Sequence, residues 1–475
     1  MSNRVLPNVA VPPETSAVDP DFPQLELARD PARMLDVFRA HLKPVAGKSY
    51  EVEACVPFRF RCRQSTSRCV LQYTLRLVER DTGRRRDQWV TGLVYAEPGA
   101  AERLWREMRA DEPRRDLPER WLTFEPVDFI PDLQMVVQVF PYDRRLRNLS
   151  PVMGAASRRL EPLLLARLGP GQWRVEEESI EPTRYRTELG AALRYTLQAR
   201  GALTGRRETV RCYLKVYRDD RGERTLHLLR ALSERTGAVA GEGTGSGSYA
   251  AVRPLAYWPD MRTLVLEEAP GTALQQQLLE DRDPFAAVGA VARAVAAFNQ
   301  DHPGITRRQS VADQLEDVRL AASLVRWACP DLAAAVEEIT AAVVRGLDDT
   351  PPAPIHGDLK TDHVFLSGDR VTFIDLDSAA LGDPVRDPAH LFAYVASRVG
   401  LGAMLPERAR AVADAFVEEY FRHVPTPWRR RFPLHCAGAL IEVASGIFRR
   451  QDPQWREQVA AAIAEARVCL SGRPQ

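Results

Sequence analysis

Two stretches of this chain line up without a gap, and they limit the fold more than any other feature. VLQYTLRLVERDTGRRRDQWVTGLVY (residues 70–95) lies over ALRYTLQARGALTGRRETVRCYLKVY (residues 192–217). Tyr73-Thr74-Leu75 meets Tyr195-Thr196-Leu197, Thr82-Gly83-Arg84-Arg85 meets Thr204-Gly205-Arg206-Arg207, and Val94-Tyr95 meets Val216-Tyr217. Each stretch is a pair of runs in which β-branched and aromatic residues alternate with polar ones, joined at Thr-Gly. That pattern predicts two strands and a hairpin. Upstream, PFRFR (residues 57–61) answers PTRYR (residues 182–186), and downstream Pro131-Asp132 answers Pro259-Asp260, each ahead of a strand. One β-rich unit is therefore used twice, which has to be recognised before any fold is assigned.

With 475 residues the chain is long enough for two or three units with sizeable cores. A net charge of +1 removes any whole-molecule argument for binding nucleic acid or an anionic membrane. No apolar run approaches the ~20 residues needed to span a bilayer. The N-terminus, with its many prolines, lacks the basic-then-apolar layout of a signal peptide and reads as a flexible lead-in. Seven scattered cysteines fit a reducing, cytoplasmic compartment better than a disulfide framework. Cys55, Cys62 and Cys69 recur every seven residues without a CxxC pair, and are expected to be small buried side chains in strands.

Read in order, residues 25–43 predict a helix with Leu25, Met34, Leu35, Phe38 and Leu42 on its apolar face. Residues 49–98 predict strands, 100–110 a helix and 135–140 a strand; after the second copy, 222–234 predicts a helix. From residue 284 the chain reads as helical at 284–298, 311–328, 332–347, 388–399, 407–423, 428–449 and 454–470. The non-helical interruption carries HGDLKTDHVFL (residues 356–366), a loop leading into a strand. VTFIDLDSAALGDPVRD (residues 371–387) follows, a strand ending in a polar turn.

The HGD opening, the IDLD turn and the following GDPVRD resemble, in order and spacing, the aminoglycoside phosphotransferase family of small-molecule kinases. The resemblance spans roughly residues 172–450, and the first third is tied to it only through the repeat. It implies an α+β, protein-kinase-like two-lobe fold, a β-rich small lobe and a helical large lobe, preceded by a degenerate duplicate of the small lobe. The expected organisation is a lead-in at 1–24, a small-lobe-like domain at 25–155, the kinase small lobe at 156–270 and the large lobe at 271–475. It also implies ATP and Mg²⁺, with Asp358 meeting the acceptor hydroxyl, Asp375 holding the metal and Lys360 supporting the γ-phosphoryl. His356 would brace the loop, Asp387 would anchor it from the following helix, and Asp377 would add a metal contact or face solvent.

Lysine occurs at four positions only, Lys43, Lys48, Lys215 and Lys360, among 65 basic residues. Two of them fall where kinase chemistry wants a compact ammonium on a phosphate rather than a planar fork. Lys215, on the strand CYLKVY, takes the place of the small-lobe lysine, and Leu93 is its counterpart in the first copy. A Glu from helix 222–234 should steady that lysine, yet Glu223 and Glu234 are both poorly placed. The phosphate-covering hairpin would run over residues 185–195 with Gly190 at its turn. GEGTGSGS (residues 241–248) follows the lysine strand and is expected to be a connector. Glu267, Glu268 and Ala269 take the place of the hinge that meets adenine.

The family pattern is broken at His363, which stands where the second metal ligand is usually Asn. Imidazole suits Mg²⁺ less well than an amide oxygen, so one Mg²⁺ on Asp375, a preference for Mn²⁺, or lost catalysis all remain open. The expected function is ATP-dependent phosphorylation of a hydroxyl on a small molecule, a sugar, an aminoglycoside-like compound or a related metabolite. The alternative is a nucleotide-binding pseudokinase, and a protein kinase is disfavoured by the missing Arg after His356 and the lack of an APE segment.

Overall fold

The computed structural model describes residues 19, 21–62, 68–111, 117–169, 171–239, 249–280, 283–301 and 304–471. The N-terminal helix is two, not one. Asp30 accepts hydrogen bonds from the amides of Ala32 (2.9 Å) and Arg33 (3.1 Å), and Pro31 takes the first helical position. The chain therefore stops α1 (Leu25–Ala28) and restarts as α2 (Pro31–His41).

Strands β1 (Tyr50–Arg61), β2 (Arg68–Glu79), β3 (Arg85–Tyr95), β4 (Val127–Ile130) and β5 (Met135–Val139) form a sheet of order β1-β2-β3-β5-β4, with α3 (Ala100–Ala110) between β3 and β4. After α4 (Leu149–Leu165) comes β6 (Trp173–Arg186), β7 (Gly190–Gly201), β8 (Arg207–Tyr217), α5 (Arg221–Val239), β9 (Tyr249–Ala251), β10 (Pro254–Trp258) and β11 (Thr263–Glu267). The second sheet runs β6-β7-β8-β11-β10, the same order. The registers also coincide. Arg68 faces Tyr95 as Gly190 faces Tyr217, and Leu93 faces Val136 as Lys215 faces Leu264. At the turns Gly83 and Gly205 both adopt a left-handed backbone (φ 68° and 65°), where an L side chain is strained.

One part of the sequence alignment slips. Pro57 faces Tyr73, whereas the residue opposite Tyr195 is Ile180, and Pro182 faces Leu193. Bulges in β1 and β6 absorb the difference, so the structural counterpart of Arg61 is Arg184. Helix α4 was not anticipated from the sequence, because Gly154 and Pro162 interrupt its apolar pattern. Its buried Leu149, Val152 and Leu160 share a core with Leu193, Leu214 and Val265 of the second sheet. Trp89 stacks on Tyr185 at 6.3 Å and Phe140 meets the same ring edge-on at 5.0 Å, joining the two sheets.

Beyond β11 the chain crosses into the helical lobe through β12 (Thr272–Ala273) and α6 (Leu274–Leu279). Gly271 sits at this crossing with φ 87°, and a Cβ there would lie 2.0 Å from the Leu366 carbonyl oxygen, so only glycine fits. Helices α7 (Pro284–Gln300), α8 (Val311–Ala328), α9 (Ala333–Gly346), α10 (Arg386–Ala396), α11 (Pro406–Arg422), α12 (Phe432–Arg450) and α13 (Trp455–Ser471) bury their Ala, Val and Leu stripes in one core. Strands β13 (Ala353–Ile355), β14 (Val364–Ser367), β15 (Arg370–Phe373) and β16 (Ala380–Gly382) carry the non-helical segment. β12, β14 and β15 make a small sheet that β9 joins in parallel, which pins the segment under the second large sheet. This is the two-lobe, protein-kinase-like arrangement, with a sheet of small-lobe order ahead of it. No described helix is long and apolar enough to cross a membrane.

Candidate active site

The loop before β14 is held from behind. Asp387, in the first turn of α10, accepts from the amides of His356 (2.7 Å) and Gly357 (3.0 Å) and from the Asn299 side chain (3.1 Å). His356 Nε2 donates to the Ile374 carbonyl at 2.9 Å, tying the loop to the end of β15. Gly357 has φ 76°, and a Cβ would approach the Ser378 oxygen to 2.5 Å. The loop is thus locked by backbone contacts, as the anchoring roles of His356 and Asp387 required, and Asp358 projects from it.

Asp358, His363 and Asp375 bring one ligand atom each to within 4.8 Å of one another. His363 Nδ1 must donate to the Asp358 carbonyl, 2.9 Å away. Burial holds the imidazole below its ordinary pKa against the pull of Asp375, so the ring is neutral. Its Nε2 lone pair then faces an Asp375 carboxylate oxygen at 3.3 Å. Acceptor against acceptor is unfavourable unless a cation lies between, and this donor set suits a divalent metal. Asp375 itself sits in the left-handed region (φ 62°) at the start of the IDLD turn.

Lys215 Nζ lies 2.6 Å from Asp375 and 2.7 Å from Asp377. Burial would lower the lysine, but the two carboxylates hold it well above its ordinary value. Burial would likewise raise Asp375, and Lys215 with His363 keeps it well below the usual carboxylate range. No Glu of α5 takes part, since Glu223 and Glu234 are exposed. The helix instead supplies Thr225, which donates to Asp377 at 3.1 Å beside the Tyr217 hydroxyl at 3.0 Å. Asp377 therefore steadies Lys215 rather than facing solvent, a role its position two residues after Asp375 did not reveal. Asp358 pairs with Lys360 at 2.8 Å; burial would push this carboxyl up, but Lys360, His390 and His363 together hold it down.

The hairpin joining β6 to β7 turns at Glu188 (φ 63°), not at Gly190. Gly190 has a packing reason instead, because a Cβ would meet the Val216 carbonyl at 2.9 Å. The turn is fastened to the first sheet. Glu188 pairs with Arg68 (2.5 Å) and Arg144 (2.8 Å), Thr187 bonds Thr91 (2.7 Å), and Arg61 donates to the Thr187 carbonyl (2.7 Å). Glu267 ends β11, and Glu268 and Ala269 follow it ahead of β12, with the Glu267 amide donating to Arg253 O (3.0 Å) and its carboxylate paired with Arg253 (2.6 Å) and Arg167. Residues 241–248 lie outside the described residues. Cys55, Cys62 and Cys69 are buried and free, with Cys62 just past the end of β1.

A cleft of about 670 Å³ opens on the other side of Asp358. Arg59, Arg184, Arg186, Lys360, Arg449 and Arg450 line it, together with Tyr394 and His390. Sequence reasoning missed the arginines, although Arg59 and Arg61, and Arg184 and Arg186, alternate along strands, which put each pair on one face. Lys215, Asp375 and residues 267–269 do not line it.

Residues 196–431 match the model of the phosphotransferase enzyme family. A search of curated proteins finds no match. Among solved structures, the chain is similar to a choline kinase from Cryptosporidium parvum (9% identity, 62% of this chain and 89% of that one, TM-score 0.42). It is also similar to a choline/ethanolamine kinase family protein from Mesorhizobium loti (13%, 58% and 85%, 0.38) and an aminoglycoside phosphotransferase from Streptomyces rimosus (18%, 59% and 97%, 0.31).

Proposed function

The chain belongs to the phosphotransferase enzyme family through residues 196–431, and from that premise we propose that it moves the γ-phosphoryl of ATP onto a hydroxyl of a small molecule. The observation that carries this reading is the convergence of Asp358, His363 and Asp375 within 4.8 Å, with Lys215 bonded to Asp375. Asp358 receives the acceptor's O–H, orients its oxygen and takes the proton as the new O–P bond forms. The γ-phosphorus to β-γ bridging oxygen bond breaks and ADP leaves with the electron pair. Lys215 holds the α- and β-phosphates, and Lys360, bound to Asp358, meets the charge spreading over the transferred group. Glu267, Glu268 and Ala269 offer main-chain groups to adenine. Asp375 and His363 would hold Mg²⁺ or Mn²⁺, which when bound neutralises phosphate charge and shields the oxygens from repulsion. Catalysis here is positioning plus electrostatics.

Since His363 stands inside this cluster, the geometry gives the pseudokinase alternative no support. Basal ATP hydrolysis with Mg²⁺ and, separately, Mn²⁺ tests the proposal. Slow turnover that disappears in Asp358→Asn is the expected result. A preference for Mn²⁺ that moves toward Mg²⁺ in His363→Asn would assign the imidazole to the metal. Absence of turnover with either metal would sink the reading.

A further inference from the structure

The cleft beyond Asp358 holds more positive charge than the protein itself neutralises. Its acidic lining is largely spoken for. Asp317 (3.2 Å) and Glu442 (3.6 Å) pair with Arg386, and Asp358 pairs with Lys360. Asp362 is turned half to solvent. Arg59 of β1, Arg186 of β6, and Arg449 and Arg450 of α12 have no carboxylate within ion-pair distance among the described residues. The Nε of Arg449 is buried without a hydrogen-bond partner.

These groups repel one another. Burial and then Arg186, Arg184, Arg61 and Arg450 press Arg59 toward its neutral form. Burial and Arg184 do the same to Arg186 against the pull of Asp358 and Asp375, as do burial and Arg186 to Arg449 against that of Tyr394 and Glu442. Guanidinium groups keep their charge under such pressure, so like charges stand together at a cost to folding. Adenine and the α- and β-phosphates do not account for Arg59, Arg449 and Arg450, because Lys215 and residues 267–269 lie outside this cleft; Arg184, paired with Asp375 at 3.5 Å, borders the metal cluster instead. Asp358, which meets the acceptor hydroxyl, lines it.

We propose that the acceptor is an anionic alcohol, bearing a phosphate or carboxylate that Arg59, Arg186, Arg449 and Arg450 receive while its hydroxyl faces Asp358. The inference rests on the phosphotransferase reading. Planar guanidinium forks suit both oxyanions, and their number favours an acceptor unlike a cationic amine. Arg59 gives the first domain a job in the reaction: it completes the acceptor cleft from above.

The test is calorimetric titration of the full chain, saturated with Mg²⁺ and a non-hydrolysable ATP analogue. The probes are orthophosphate, glycerol 3-phosphate, glycerate, glycerol and choline. Expected is binding of the anions but not of glycerol or choline, falling with rising salt. The double variant Arg59→Gln/Arg450→Gln should weaken it roughly ten- to a hundredfold. Glycerol 3-phosphate without glycerate would name a phosphate ester, and the converse a carboxylate. Choline binding as tightly as the anions, no anion binding, or binding untouched by the double variant would each overturn the inference. The unfolding temperature of the variant should stay level or rise as repulsion is relieved, and the salt dependence of the wild type needs no variant. Asp358-dependent ATP hydrolysis without anion binding overturns this inference alone. Anion binding without that hydrolysis overturns the phosphotransferase reading, and the acceptor role with it.

Discussion

The two large sheets have the same strand order and cross-strand register, yet only the second carries a lysine at the matching strand position. Opposite Leu264 the second sheet presents Lys215, bonded to Asp375 and Asp377; opposite Val136 the first presents Leu93, fully buried in apolar surroundings. Backbone geometry is thus indifferent to the role. What makes a small lobe functional is a charged side chain at one strand position together with partners that arrive from another lobe. Among the described residues the first sheet has no loop like the Asp358 loop beneath it, so a lysine there would be a buried cation without a carboxylate to meet, and leucine is the stable choice.

The comparison can be broken at four places. Lys215→Met should lower kcat/KM for ATP by about 10²–10³-fold, the loss expected for one pre-placed electrostatic contact; unchanged steady-state kinetics would mean that the two sheets do not differ in function. Leu93→Ala should cost about 2–5 kcal/mol in unfolding free energy by leaving a cavity, with ATP turnover per folded molecule preserved. Denaturant unfolding beside the hydrolysis assay checks both halves of that statement.

Between the sheets, Glu188→Gln should remove about 1–3 kcal/mol at neutral pH. Burial would raise this carboxyl, but Arg68 and Arg144 hold its folded pKa below the ordinary value. A depressed folded pKa stabilises above the unfolded value, about 4.3, and the contribution is lost as pH falls through the folded pKa. Wild type and variant should therefore converge in acid, and a gap that persisted there would assign the stability to packing. Least affected, Gly83→Ala and Gly205→Ala should each cost about 1–2 kcal/mol, equally, because both glycines hold nearly the same left-handed backbone. Unequal costs would show that the matching turns bear different loads.

Local signals were legible in the sequence. HGD and IDLD could be picked out because each is a short run of adjacent residues, and the repeat is visible because register follows the alternation of side chains. Helix boundaries from residue 284 onward came within a few residues, since their apolar stripes are long. The Lys215 partner was not legible. Helix α5 offers Thr225 where a Glu was sought, and Asp377 replaces it from 162 residues downstream of Lys215, in the company of Asp375. The arginine cleft was still harder to foresee, because β1, β6 and α12 meet only after folding, and an arginine-rich composition hides any one cluster. Gly190 shows the opposite error: a glycine at a predicted turn proved to be a packing requirement.

The fastening of Glu188 and Thr187 to the first sheet changes how the enzyme would load and unload. A free hairpin over a nucleotide flaps on the timescale of loops. This one is tied down by ion pairs from Glu188 to Arg68, Arg144 and Arg145 and by hydrogen bonds to Thr91, Arg61 and Asp143, so lifting it would mean rocking one sheet away from the other, a collective motion in the microsecond-to-millisecond range. Arg61, which holds the turn, and Arg59, which lines the cleft, are two residues apart on β1. The hold on the hairpin turn and one wall of the cleft thereby hang on a single strand.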